Sequence, residues 1–190
     1  TRGVTLDADD QLRRDVISDL MCHGRIDFAS IEARHHISFK DYFAEHYEAF
    51  DGVADLYAYF MERSVKLLRE GGRFSFIVSS SFLRTTYGEP LRRVLKKHAA
   101  VIRILDFGGL PVFENAKDTY VCIPLFAKTV QPARIEVSRI PSLEFADLNA
   151  CAATNQFTIP HQRLSAEAWA LKSDEEATVF EKMMKVGKPL

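Results

Sequence analysis

The sequence predicts an α/β chain in which a small all-α segment of three short helices precedes the C-terminal strands of a sheet whose first half is missing. Three observations carry this. Residues 9–47 place apolar side chains at helical spacing, cut by tight turns. Residues 54–127 read helix, strand, helix, strand, strand, the alternation of an α/β layer. No strand and no glycine-rich cofactor loop precedes them.

The elements follow in order. Asp9 or Asp10 caps a first helix that carries Leu12, Val16, Ile17, Leu20 and Met21 and stops at Gly24. Asp27 caps a second helix with Phe28 and Ile31. A third opens near Ser38 with Phe39, Tyr42, Phe43 and Tyr47 on one face. After Asp51-Gly52 a longer helix spans about 54–70, with Leu56, Tyr59, Phe60, Val65, Leu67 and Leu68 at its apolar positions, and Gly71-Gly72 ends it. Residues 74–78, Phe-Ser-Phe-Ile-Val, lack clean alternation and read as an interior strand buried on both faces. A helix opens at Glu89-Pro90, with proline suited to a first turn, and runs to about 98. Strands are expected at 101–107 and 119–127, with a fourth at 135–137. Residues 141–172 are mixed, and a last helix spans about 173–185. The segments are therefore 1–50 helical, 51–140 partial α/β, and 141–190 a mixed extension with a helix.

Composition is that of an ordinary globular chain, 47% hydrophobic and 27% charged over 190 residues. It excludes a coiled coil, a collagen and a disulfide scaffold. Cys22, Cys122 and Cys151 are odd in number and far apart, which fits free thiols in a reducing compartment. No apolar run approaches the ~20 residues of a membrane helix, so a cytoplasmic location without a membrane partner is expected. The initial Thr1 suggests a piece of something longer. The net charge is −1, which does not mark a globally basic nucleic-acid binder. The charge is uneven, however. Residues 1–50 hold six basic and ten acidic side chains, whereas 62–103 hold ten basic and three acidic.

Two resemblances divide the chain. The stretch Asp9-Asp10-Gln11-Leu12-Arg13-Arg14-Asp15-Val16-Ile17, with Leu20-Met21-Cys22-His23, Arg25-Ile26-Asp27-Phe28, Ile31-Glu32 and Asp41-Tyr42-Phe43-Ala44-Glu45, resembles the C-terminal helical region of oxygen-independent coproporphyrinogen III oxidase. That family's cysteine motif for an iron–sulfur cluster is absent. Residues from about 50 onward resemble the C-terminal half of the adenine-specific DNA methyltransferase domain of type IIG restriction–modification enzymes. The motifs are Gly52-Val53-Ala54-Asp55-Leu56-Tyr57, Gly71-Gly72-Arg73-Phe74-Ser75-Phe76-Ile77-Val78-Ser79, Ser81-Phe82-Leu83-Arg84, Tyr87-Gly88, Ile104-Leu105-Asp106-Phe107-Gly108 and Val112-Phe113-Glu114-Asn115-Ala116. Gly187-Lys188-Pro189-Leu190 resembles the lead-in to a target-recognition domain. The junction falls near residues 46–52.

The second resemblance implies a partial Rossmann-like methyltransferase sheet, S-adenosylmethionine as cofactor in the parent family, and DNA as its partner. The family's Asn/Asp-Pro-Pro-Tyr/Phe tetrapeptide is absent, since the first proline is Pro90. The cofactor loop is absent too. No cofactor and no methyl transfer are expected of this chain alone. Its expected partner is the missing N-terminal methyltransferase half, or a second copy joined through a sheet edge. In such folds an extruded base needs an aromatic face, and Phe113 matches the family's stacking position. Ser79, Ser80 and Ser81 follow the first strand, where α/β sheets bind ligands, and either line the cleft or satisfy turn groups. Arg84, in the loop, is the expected phosphate contact, ahead of Arg92, Arg93, Lys96 and Lys97 on the helix, and DNA binding is expected to be weak and salt-sensitive. Cys22, His23, His35 and His36 match no zinc spacing, so no metal is expected. Trp169 reads as a packing anchor. The competing readings are a non-catalytic interaction module and an accessory helical domain of a haem-pathway enzyme.

Overall fold

A computed structural model describes residues 5–53, 55–114 and 119–186. The chain divides into two compact units, Thr1–Tyr47 and Glu48–Leu190.

The first unit holds helices α1 (Ala8–His23), α2 (Phe28–His35) and α3 (Phe39–His46). Short polar side chains start them. The Asp7 carboxylate accepts the Asp10 amide at 2.7 Å while Asp10 reaches back to the Asp7 amide, a reciprocal cap. The cap of α1 is therefore Asp7, ahead of the expected Asp9 or Asp10. Asp27 and Ser38 cap α2 and α3 as expected. Gly24, at φ +64°, takes the left-handed turn after α1. Leu12 and Ile31 are buried, whereas Ile17 and Met21 are exposed. The apolar stripe of α1 is wider than the face two eight-residue helices cover. Polar ties add to the packing: the Asp15 carboxylate meets His35 at 3.1 Å and Arg34 at 3.2 Å, which holds it below the usual carboxylate range. Tyr42 donates its hydroxyl to Asp9 at 2.7 Å.

The second unit is a mixed sheet with helices. Its elements are α4 (Tyr57–Leu67), β1 (Arg73–Ser75), β2 (Val78–Ser79), α5 (Glu89–His98), β3 (Ala100–Asp106), β4 (Val121–Ala127), β5 (Arg134–Arg139), α6 (Leu148–Thr154), β6 (Gln156–Pro160) and α7 (Asp174–Val186). Across the sheet the order is β1, β4, β3, β5, β6, with β2 also on β4. β4 is antiparallel to β1, β2 and β3, so the first and third strands run the same way, with α5 as their crossover. β3 pairs with β5 in parallel and β6 closes that side antiparallel. Met61 and Val65 of α4, with Leu91 and Leu95 of α5, pack against Val101, Ile104 and Phe126 in one core. Trp169 is fully buried in it, 5.7 Å from Phe82 and 6.5 Å from Phe126 between ring centroids.

Two expectations are corrected. The run 74–78 is an edge, not an interior strand. Among the described residues it pairs only with β4, it breaks at Phe76 and Ile77, and those two side chains are 39% and 42% exposed. β5 and β6 lie at the opposite side of the sheet. The break stands opposite Pro124, which has no amide hydrogen to donate. Helix α4 is the second correction. Leu56, Phe60 and Leu67 are exposed, because apolar residues ring the helix while only the Ala58, Met61 and Val65 side is packed.

Candidate functional site

Where two same-direction strands end at the same side of a sheet, side chains and backbone groups from several loops converge. Here those ends are Ser79 of β2 and Asp106 of β3. The Ser80 amide donates to the Tyr120 carbonyl at 2.8 Å, and the Phe107 amide to the Val121 carbonyl at 3.0 Å. The start of β4 is thereby pinned between the two strand ends.

After β2 the chain tightens into a turn of 3-10 helix at Ser80–Leu83. The hydroxyls of Ser79 and Ser81 bond to each other. Ser79 Oγ donates to Ser81 Oγ at 2.9 Å and accepts the Ser81 amide at 3.3 Å, and Tyr57 Oη lies 3.2 Å from Ser81 Oγ. Burial pushes the Tyr57 phenol up to about 12, so the group is a neutral hydroxyl. Thr85 Oγ1 donates to the Ser81 carbonyl at 3.0 Å. Gly88, before α5, is required by packing: a Cβ there would stand 2.5 Å from the Phe82 carbonyl oxygen.

A cavity of about 440 Å3 opens at this corner. Ser79, Ser80, Ser81 and Arg84 all line it, so the structure brings four of the five expected residues together. Arg84 is exposed, and among the described residues no carboxylate pairs with it. The basic residues of α5 differ. Arg93 pairs with Glu89, Lys97 with Glu48 at 2.7 Å, Lys96 donates to the Leu164 carbonyl, and Arg92 is buried.

Phe113, the expected stacking residue, is 44% exposed in the loop after β3 and is outside the cavity lining. Asn115 and Ala116 of the same motif lie outside the described residues, as do Ala54 and the sequence 187–190. Five further lining residues were not among the expected site residues: Asp55, Thr85, Tyr87, Thr119 and Tyr120. Tyr120 was hidden by being assigned to a strand from 119. It stands just before β4 and is 57% exposed, and a Cβ added at Gly109 would lie 3.5 to 3.8 Å from its phenol atoms.

Among the described residues the glycines do not form the strand-to-helix loop that would hold S-adenosylmethionine. Of the glycines in this unit with positive φ, Gly71 sits between a helix and a strand and Gly108 at the end of β3. Neither lies between a strand and the helix that follows it, where a nucleotide-type cofactor loop works.

Residues 28–113 match the family model described as Eco57I restriction-modification methylase. That match begins upstream of the 46–52 junction and ends at Phe113. The type II restriction enzyme and methyltransferase RM.Eco57I of Escherichia coli is 36% identical over 69 residues, covering 36% of this chain and 7% of that protein. The oxygen-independent coproporphyrinogen III oxidase of Escherichia coli (strain K12) is 45% identical over 60 residues, covering 29% of this chain and 13% of that protein. The chain thus spans well under a fifth of the length of either relative. A solved structure, the type IIG restriction endonuclease BpuSI, matches with a TM-score of 0.53 at 15% identity, over 97% of this chain and 21% of its own. That likeness shows the fold alone: a mixed α/β sheet preceded by helices. The part of the chain that holds Ser79, Ser80, Ser81, Arg84 and Phe113 is similar to the Eco57I restriction-modification methylases, and short helical sequence elsewhere is similar to coproporphyrinogen III oxidase.

Proposed function

We propose that this chain supplies the target-base side of a type IIG restriction–modification DNA adenine methyltransferase and does not transfer a methyl group by itself. The parent reaction moves a methyl group from S-adenosylmethionine to the exocyclic amine of adenine. The observation that carries the reading is the cleft at the ends of β2 and β3, formed by Ser79, Ser80, Ser81 and the unpaired Arg84, within the segment that matches the methylase family. In this reading Arg84 takes a DNA phosphate and Phe113 stacks on the extruded base. The lack of a cofactor loop and of the proline-containing tetrapeptide supports inactivity of the chain alone. The free edge of β1 and β2, with Phe76 and Ile77 exposed, supports docking of the absent N-terminal half there.

Methyl incorporation from radiolabelled S-adenosylmethionine into adenine-containing duplex DNA tests this. The chain alone is expected to give background. Addition of a methyltransferase N-terminal half carrying the glycine loop and the tetrapeptide is expected to restore incorporation, and Phe113→Ala to lower it again. Incorporation by the chain alone contradicts the reading.

A further inference from the structure

We propose that the Tyr57 phenol donates to Ser81 and thereby makes the Ser81 hydroxyl a pure hydrogen-bond donor toward the cleft, where Ser81 and Arg84 together hold one phosphodiester group. Tyr57 is then a positioning residue and Ser81 an uncharged phosphate contact. This rests on the nucleic-acid reading above and adds to it a second donor and the residue that orients it.

Three hydroxyls share two hydrogen bonds at this corner, so one proton is left over. Ser79 spends its proton on Ser81 Oγ at 2.9 Å, and Ser79 Oγ takes the Ser81 amide at 3.3 Å. The 3.2 Å contact between Tyr57 Oη and Ser81 Oγ uses one of the two protons that remain. Were Ser81 the donor, the phenol proton would have no acceptor, because among the described residues Ser81 is the one hydrogen-bond partner of Tyr57 Oη. Tyr57 packs against the core, with its ring 6.3 Å from that of Phe82, and it is not part of the cavity lining. Burial keeps it a neutral donor. A donor buried without a partner gives up its bond to water and gains none in return. The other arrangement strands nothing. Tyr57 donates, Ser81 Oγ accepts twice, and the Ser81 proton is left for the cavity that Ser81 lines.

The backbone brings a second donor to the same side. In a 3-10 turn, side chains three residues apart eclipse one another. Ser81 and Arg84 stand in that relation, and the Arg84 amide donates to the Ser81 carbonyl at 3.0 Å to close the turn. Both line the cavity. Among the described residues Arg84 has no carboxylate partner, so one neutral donor and one cation converge there. An amine would meet only donors at Ser81 and Arg84. A phosphodiester offers acceptor oxygens to both, with the charge that Arg84 complements. Asp55, the carboxylate of the lining, is left for donor groups.

The test titrates the whole 190-residue chain with a fluorescently labelled oligodeoxythymidylate at several low salt concentrations. Ser81→Ala is expected to weaken binding by about two- to tenfold, the worth of one hydrogen bond. Its salt slope should not change, because no charge is removed. Arg84→Gln should weaken binding and reduce that slope by about one. Ser81→Thr keeps the hydroxyl and should keep the affinity. Tyr57→Phe should weaken binding in the unaltered chain by about twofold or more and have no effect in the Ser81→Ala background, since no hydroxyl is left to orient. A packing role for Tyr57 would weaken both backgrounds alike. Equal losses in the two backgrounds therefore overturn the proposal, as does Ser81→Ala binding like the unaltered chain, or no binding by the unaltered chain. A reduced slope in Arg84→Gln with no effect of Ser81→Ala overturns it and leaves the methyltransferase reading intact. Conversely, the Ser81 and Tyr57 pattern without methyl transfer in the reconstituted mixture keeps the phosphate contact and removes that reading. If Ser81→Ala fails to fold, judged by Trp169 fluorescence, Ser81→Cys takes its place with the same expectations, because a thiol donates only weakly.

Discussion

Arg92 Nη2 donates to the Glu167 carbonyl at 2.6 Å, tying α5 to a loop seventy-five residues further along the chain. The same guanidinium reaches the Ala166 carbonyl through Nε at 2.8 Å, and the Phe82 and Thr85 carbonyls through Nη1. It is fully buried and pairs with carbonyl dipoles alone, and burial lowers its pKa. The planar fork matters because a single cation must serve four acceptors in different directions. Arg92→Lys keeps the charge but reaches fewer of them. We expect it to lower unfolding stability by about 2–3 kcal/mol, since each abandoned buried acceptor costs about 1 kcal/mol or more. Urea denaturation measures this, and an unchanged midpoint would show that the fork is not structural.

The contrast between Arg92 and Arg84 shows how far the sequence was legible. Both sit in one basic stretch, and Arg84 ranked first because it falls in a loop. That placement is what the structure shows. The burial of Arg92 depended on carbonyls from residues 82, 85, 166 and 167, and no local pattern announces a partner so distant. Helix α5 and the boundaries of β3 and β4 were read within two residues, because periodicity and flanking glycines mark them. Phe60 was misplaced because a helix with apolar residues all round does not say which side finds a neighbour. Tyr120 was missed because β-propensity extended its strand backward, whereas the turn that exposes it is fixed by Ser80 across the sheet.

The first residues of the second unit hang on one buried carboxylate. Glu62, 1% exposed, accepts the amides of Glu48 at 3.0 Å and Ala49 at 2.6 Å and pairs with Lys66 at 2.5 Å. Glu62→Ala would leave two amides without acceptors and a lysine without its nearest partner. A loss of about 2–4 kcal/mol is expected by thermal or urea unfolding. Glu62→Gln, which retains one acceptor oxygen, should lose less. Equal losses in the two variants would assign the effect to packing.

Acid should weaken this unit in a defined window. Glu48 is held down to about 2 by Lys97 and then Lys66, from an ordinary value of 4.5. Its folded value is depressed, so its contribution is complete above about 4.5 and disappears as pH falls toward 2. Glu176 behaves likewise through Arg139. Both groups are solvent-accessible, so each effect is modest and falls with salt. Unfolding followed between pH 6 and 2 should steepen below about 4.5, and Glu48→Gln should flatten part of that fall. Identical profiles for the two proteins would mean the pair with Lys97 contributes nothing.

The break between β1 and β2 has an assignable cause. The register of Ser75 with Leu125 and of Val78 with Cys122 continues unbroken through the gap, so Phe76 stands opposite Pro124. The Pro124 carbonyl accepts Ser75 Oγ at 3.0 Å, so that carbonyl faces the β1 side. In an extended strand the amide of a residue points the same way as its carbonyl. The donor that proline lacks is therefore the one Phe76 would meet. Native-state hydrogen exchange should find the Phe76 and Ile77 amides fast, and those of Ile104 and Leu105 slow, because β3 is paired on both sides. Pro124→Val returns the donor. It should join β1 and β2 into one strand, draw the Phe76 amide onto residue 124, and slow its exchange about tenfold or more. The outer side of the strand stays unpaired in either case, so the change reports the inner ladder alone. If Phe76 in Pro124→Val still exchanges at a loop rate, the interruption comes from the edge itself and not from the proline.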